Sequence, residues 1–305
     1  YYASLVGAAC LQEWTGLPAR ATVGSEFRYS PPPLDARTLV IAVTQSGETA
    51  DTIAPTRLAR ERGCPVIAVT NTVGSAITRE ADGVVFLQAG PEIAVAASKT
   101  FVAQVTTLVI LAAAVARARG TLGLEQEMEL GAALRALPGA ARRAIDGAEG
   151  IAALARRYVN SRGFMFVGRG SSYPAALEGA LKLKEVSYIH AEGYAAGELK
   201  HGPISLLDAE CPLVAVATRS SVYSKLLSNI SEGRARDARV IAVATEGDDQ
   251  IERFADEVCW VPDTHEALSP VLAVIPLQLF AYHTAVARGT DVDQPRNLAK
   301  SVTVE

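Results

Sequence analysis

Short, nearly unbroken apolar runs recur along the chain, separated by longer stretches whose apolar residues fall at helical spacing. In the first half the runs are 38–43 (TLVIAV), 65–69 (PVIAV) and, shorter, 84–87 (VVFL). Between the first two lies 51–62, with basic residues towards its end, and a long helix is predicted from about 94 to 118. In the second half 164–167 (FMFV), 213–217 (LVAVA), 240–243 (VIAV) and 258–261 (VCWV) read as strands, with helices over 174–188, 222–236 and 267–288. Residues 124–159, rich in Ala, Glu and Arg, read as connecting helices broken near Pro138-Gly139.

Strand–helix alternation with continuously apolar strands means parallel sheets covered on both faces. The chain is therefore α/β, with two doubly wound parallel-sheet domains over 1–140 and 141–290 and a tail over 291–305. The halves run in parallel, as an ancestral duplication would leave them. In the second half a strand and the turn Gly168-Arg169-Gly170-Ser171-Ser172 precede the first helix. The helix over 1–14 has neither before it, so a first strand and its turn are expected upstream of Tyr1.

Composition adds limits. The 305 residues suit two domains, and a net charge of −4 supplies no basic face for nucleic acid. Cys10, Cys64, Cys211 and Cys259 lie far apart with no metal spacing, which suits a reducing cytoplasm, and neither metal nor cofactor is expected. The apolar stretch 105–116 is too short for a membrane span, and the start is not a signal peptide.

Two segments carry candidate chemistry. Residues 44–49 (Thr44, Gln45, Ser46, Gly47, Glu48, Thr49) follow a strand and precede a helix, where ligands of open α/β sheets bind. Three hydroxyls, a glycine and a helix N-terminus suit a phosphate; equally, Ser46 or Thr49 could cap the helix and Glu48 support its first turn. The corresponding turn 218–221 lacks the glycine, so one phosphate site per chain is expected. The turn at 168–173 has Tyr173 where dinucleotide packing wants Gly or Ala, which disfavours a nicotinamide cofactor.

The predicted helix over 177–188 places Glu178, Lys182 and Glu185 on one face, at spacings of four and three. The ordinary fate of such a stripe is a solvated salt bridge. Ala180, Leu181 and Leu183 leave little polar surface around it, and Lys184 can serve solvent. A carboxylate suits proton transfer between two sugar carbons, and a histidine such as His201, in the loop after this helix, suits acid–base work at a ring oxygen or a purely structural role. The polar tail reads either as a disordered end or as a segment folded over an anion through Arg296 and Lys300.

Together these segments resemble the isomerase half of the glutamine–fructose-6-phosphate aminotransferases, which consists of two sugar-isomerase (SIS) domains. The resemblance spans essentially the whole chain and is densest in 25–29 (SEFRY), 45–52 (QSGETADT), 176–203 and 289–305, the last ending KSVTVE. It implies Glu185 as the base for the C1/C2 proton, Lys182 steadying the enediol oxygen and Glu178 orienting the cluster. It also implies His201 as the ring-opening histidine, offered to the partner subunit of a homodimer, and Lys300 as the lysine that forms a Schiff base. Substrate contacts would come from Thr44, Gln45, Ser46, Gly47 and Thr49 at the phosphate, with Val95, Ala97, Ala299 and Arg296 at the sugar. The implied ligands are fructose, glucose and glucosamine 6-phosphates, and a glutaminase domain is expected on the full-length chain. The family usually has Ser at the positions of Thr44 and Ala97, and only the first change keeps the hydroxyl. One alternative is a related SIS amino-sugar-phosphate deaminase or aldose–ketose isomerase, against which the complete tail stands. Another is a sugar-phosphate-sensing SIS module, which would share the loop without needing Glu185, His201 and Lys300 together.

Overall fold

The computed structural model describes residues 1–301; the end of the KSVTVE run lies outside the described residues. The chain forms two compact units, one of Ala3–Ala112 with residues from Asn297 onward, the other of Ala113–Arg296.

In the first unit come α1 (Tyr2–Thr15), α2 (Gly24–Tyr29), β1 (Val40–Val43), α3 (Ala50–Glu61), β2 (Val66–Thr70), α4 (Ala76–Glu80), β3 (Gly83–Phe86) and the start of α5 (Lys99–Ala118). The strands are parallel in the order β1-β2-β3, with Val40 opposite Val66 and Ile67 opposite Gly83. Their core joins Ala42, Ala59, Cys64, Val66, Ala68 and Ile77. Helix α5 begins at Lys99 instead of 94, because residues 91–98 wrap around the Glu92 carboxylate, which accepts the Ser98 and Thr100 N–H groups. At 20 residues it is longer than the apolar run alone indicated, and by length and composition α5 and the stretch Glu266–Arg288 would each suffice to cross a bilayer. Burial of Phe101, Val105, Leu108 and Val109 makes one side of α5 core.

The second unit continues with α6 (Leu124–Asp146), α7 (Ile151–Tyr158), β4 (Phe164–Gly168), α8 (Ser172–Ser187), β5 (Ala191–Ala195), β6 (Leu213–Ala217), α9 (Tyr223–Arg234), β7 (Val240–Thr245), β8 (Glu257–Val261) and α10 (Ser269–Arg288). Its sheet is all parallel in the order β5-β4-β6-β7-β8. Every residue of β4, β6 and β7 is buried, as their uninterrupted apolar sequences require. Strand β5 (AEGYA) is a partly exposed edge whose polar sequence carried no strand signal. The expected break at Pro138 does not occur: α6 runs through it, because the buried stripe of Leu130, Leu137, Ala140 and Ala144 continues on both sides and outweighs one lost ladder bond. Helix α6 packs on α10 and β8, so it belongs to the second unit, and the first unit ends near Ala112 instead of near 140.

The duplication read from the sequence is visible in detail. In the first unit the Asp82 carboxylate accepts the Val66 N–H at 2.8 Å; in the second, Asp256 accepts the Val240 N–H at 2.7 Å, across the same interval of 16 residues. Strands β1, β2 and β3 thus correspond to β6, β7 and β8. Among the described residues, β4 and β5 have no counterpart in the first unit.

Candidate active site

The first unit presents the turn 44–49 at the carboxyl end of β1. Thr44 is buried, and its hydroxyl accepts the Gly47 N–H at 3.2 Å. The Gln45 carbonyl is held by Asn71 N–H at 3.1 Å, and Ser46 Oγ accepts Glu48 N–H at 3.2 Å. Gly47 has φ 70°, and a Cβ there would lie 2.1 Å from Ser75 Oγ, so only glycine fits the turn. The capping role left open by the sequence is not filled: Thr49 occupies the N-cap of α3 but makes no side-chain capping bond. Glu48 does not support α3 either; its Oε1 accepts the Ala76 N–H of α4 at 2.8 Å. A rigid, hydroxyl-bearing turn therefore faces a helix N-terminus with the Thr49 hydroxyl uncommitted to it, a favourable environment for an anion.

Also in the first unit, Lys300 Nζ donates to Glu92 Oε2 at 3.1 Å and to the Ala94 carbonyl at 2.8 Å. This places the expected Schiff-base lysine against the 91–98 loop that contains the half-buried Val95 and Ala97. Ala299, beside Lys300 in the chain, is exposed. Glu92 carried no signal in the sequence: it is a single loop carboxylate distant in the chain from the tail it binds.

In the second unit α8 buries its polar face. Gly179 lets α10 approach so closely that a Cβ there would lie 2.7 Å from Leu277 Cδ1. Lys182 Nζ stands 2.6 Å from Glu185 Oε2 and 3.4 Å from Glu178 Oε1, with side chains 7%, 21% and 5% exposed, while Lys184 is exposed to solvent as expected. Two carboxylates, one buried and one partly exposed, thus share one buried ammonium. Burial pushes the Glu178 carboxyl up despite Lys182. Burial opposes the charge of Lys182, but Glu178 and Glu185 outweigh it and raise that ammonium's pKa. Apart from the ion pair, Glu185 Oε2 is buried with no hydrogen-bond donor. A stripe of this kind is costly as structure and is characteristic of sites that move protons.

His201 ends a short 3-10 helix (Ala196–His201), exposed, with Glu198 at 3.9 Å. Arg296 is exposed as well, its guanidinium 4.3 Å from the centre of the Tyr188 ring and its N–H donated to the Tyr188 hydroxyl at 2.7 Å. The second unit's counterpart of the 44–49 turn is occupied by its own carboxylate: Glu266 accepts Ser171 Oγ at 3.1 Å and the Ser221 N–H at 3.2 Å. Among the described residues, no group of His, Cys, Asp and Glu is placed to hold a metal ion.

Comparison with known proteins places the chain in a family. The SIS domain family model matches residues 1–114 and 158–288. The chain is 49% identical to glutamine–fructose-6-phosphate aminotransferase [isomerizing] from Thermus thermophilus, over all of this chain and 50% of the relative. It is 52% identical to the protein of the same name from Gloeobacter violaceus, again over all of this chain and 50% of the relative. The structure of the C-terminal domain of glucosamine-fructose-6-phosphate aminotransferase from Francisella tularensis superposes with a TM-score of 0.92 at 33% identity, covering 96% of this chain and 83% of that one. The chain belongs to the SIS-domain family and, within it, to the isomerase halves of the glutamine–fructose-6-phosphate aminotransferases. It spans about half the length of the curated relatives it matches.

Proposed function

We propose that this chain converts fructose 6-phosphate and ammonia to glucosamine 6-phosphate, as the isomerase half of a cytoplasmic enzyme whose glutaminase domain supplies the ammonia. The observation that carries this reading is the Glu178–Lys182–Glu185 cluster, in which a buried Glu185 oxygen has no partner beyond the Lys182 ammonium. Such an oxygen has a lone pair available to take the C1/C2 proton, and the adjacent Lys182 ammonium can offset charge on an enediol oxygen. Glu178 holds Lys182 from the other side. The phosphate is assigned to Thr44, Gln45, Ser46, Gly47 and Thr49, and sugar contacts to Val95, Ala97, Arg296 and Ala299. Lys300 forms an imine with the open-chain ketose, which ammonia then displaces. His201, exposed at the end of its helix, opens the ring in the partner subunit of a homodimer.

The test is exchange of the C1/C2 proton of glucose 6-phosphate, followed by NMR in deuterated water. Glu185→Gln is expected to reduce exchange at least about a hundredfold with sugar-phosphate binding retained. Full exchange activity in this variant would refute the assignment. Mixing Glu185→Gln chains with His201→Ala chains should restore part of the activity through one intact composite site. Failure of the mixture, with both variants folded and dimeric, would remove the shared histidine.

A further inference from the structure

The loop between β3 and α5 is organised around one carboxylate. The Glu92 side chain is 4% exposed and accepts four donors: Ser98 N–H at 2.9 Å and Thr100 N–H at 3.3 Å on Oε1, Thr100 Oγ1 at 2.5 Å and Lys300 Nζ at 3.1 Å on Oε2. Three of these come from the loop and the first turn of α5, so the carboxylate is oriented whether or not the tail is present. Burial pushes its carboxyl up, but the bonds from Thr100, Ser98 and Lys300 outweigh that and hold it below the ordinary range. Lys300 gains a second acceptor in the Ala94 carbonyl and remains 26% exposed, so its amine is aimed yet reachable.

We propose that Glu92 is a positioning residue for Lys300: its preset carboxylate fixes the amine, anchors the end of the chain on the first unit, and keeps the nitrogen's charge compensated through imine formation. The last part rests on the reading of Lys300 as the imine-forming lysine. In that step the ammonium first gives a proton to water, and the free amine attacks C2 of the open-chain ketose. A C–N bond forms, the C2 oxygen leaves as water, and the protonated imine carries the same single positive charge as the original ammonium. Glu92 therefore faces one positive charge at the start and at the end, and its hydrogen bonds need not be rebuilt.

The experiment reads tail anchoring and chemistry separately on the full chain. Hydrogen exchange of the peptide covering residues 296–301 is compared in the wild type, Glu92→Gln and Lys300→Met. Both variants are expected to exchange at least about tenfold faster there. Lys300→Met leaves the three other donors to Glu92 in place and serves if Glu92→Gln folds poorly. Wild-type protection in Lys300→Met would overturn the anchoring. Borohydride trapping of fructose 6-phosphate, read by peptide mass, then follows the chemistry. Glu92→Gln should trap at least about tenfold more slowly while binding the carbonyl-free analogue glucitol 6-phosphate as tightly as wild type. Wild-type trapping in that variant, or equal losses of trapping and analogue binding, would overturn the positioning role. No adduct on Lys300 in the wild type would remove the imine reading and the charge-compensation part, leaving the exchange result to decide the anchor alone.

Discussion

The Lys182 ammonium lies 2.6 Å from Glu185 Oε2, and the same nitrogen is 3.4 Å from Glu178 Oε1. One buried positive charge is thus divided between a buried and a partly exposed carboxylate, and removing it leaves both uncompensated. Lys182→Met should destabilise the fold by about 3–5 kcal/mol, as breaking a buried ion pair does. Adding Glu178→Gln should return part of that loss, since one of the two stranded charges is then gone. Urea unfolding of the three proteins checks this; equal stability of single and double variants would show that Glu178 and Lys182 are not coupled.

Two buried carboxylates should give opposite pH signatures. Glu92 has its carboxyl lowered below the ordinary value of 4.5, so its contribution is present above that value and is lost as pH falls through its folded pKa. Glu178 is raised above 4.5, so its contribution is present below that value and is lost as pH rises through its folded pKa. The stability gap between wild type and Glu92→Gln should therefore shrink on acidification. Glu178→Gln should gain on wild type as pH rises. Unfolding free energies measured between about pH 4 and 8 test both signs.

Gly47→Ala tests the rigidity of the 44–49 turn and its proposed hold on phosphate. The substitution forces a side chain into φ 70° and against Ser75 Oγ at 2.1 Å. A loss of about 1–3 kcal/mol in stability is expected, together with weaker inorganic phosphate binding by calorimetry. Ser75→Gly in the same chain should relieve the clash with Ser75 but neither the contact with Ile77 Cγ2 at 2.9 Å nor the backbone strain, so recovery should be partial.

The Ser171–Glu266 contact makes a prediction for stoichiometry. Glu266→Ala frees Ser171 Oγ and the Ser221 N–H, the two donors that its carboxylate now occupies. Wild type should bind one equivalent of phosphate per chain and the variant two. An unchanged stoichiometry would show that the second turn has no anion-binding capacity of its own.

Much of this architecture was legible because buried parallel strands leave unbroken apolar runs, as β4, β6 and β7 do. The stripe on α8 was legible because helical spacing alone aligns Glu178, Lys182 and Glu185. Strand β5 was not, because an edge strand reading AEGYA needs no apolar pattern when its pairing with β4 supplies the order. Glu92 was invisible for a different reason: its role depends on a contact across 208 residues, and nothing local distinguishes it from any loop glutamate. The expected break in α6 failed because proline's penalty is local whereas the buried stripe acts over the whole helix.

Tyr188 closes α8 in the left-handed conformation, at φ 60°, where glycine is the usual residue. For a tyrosine that conformation costs about 1–2 kcal/mol. Its ring and hydroxyl, however, are what hold Arg296. Stability-guided redesign would therefore choose glycine at this position and would be misled: Tyr188→Gly should raise the melting temperature while loosening the entry to the tail. A gain in heat resistance here would cost the two contacts that fix Arg296, and a thermostable variant should be screened for sugar-phosphate affinity before it is kept.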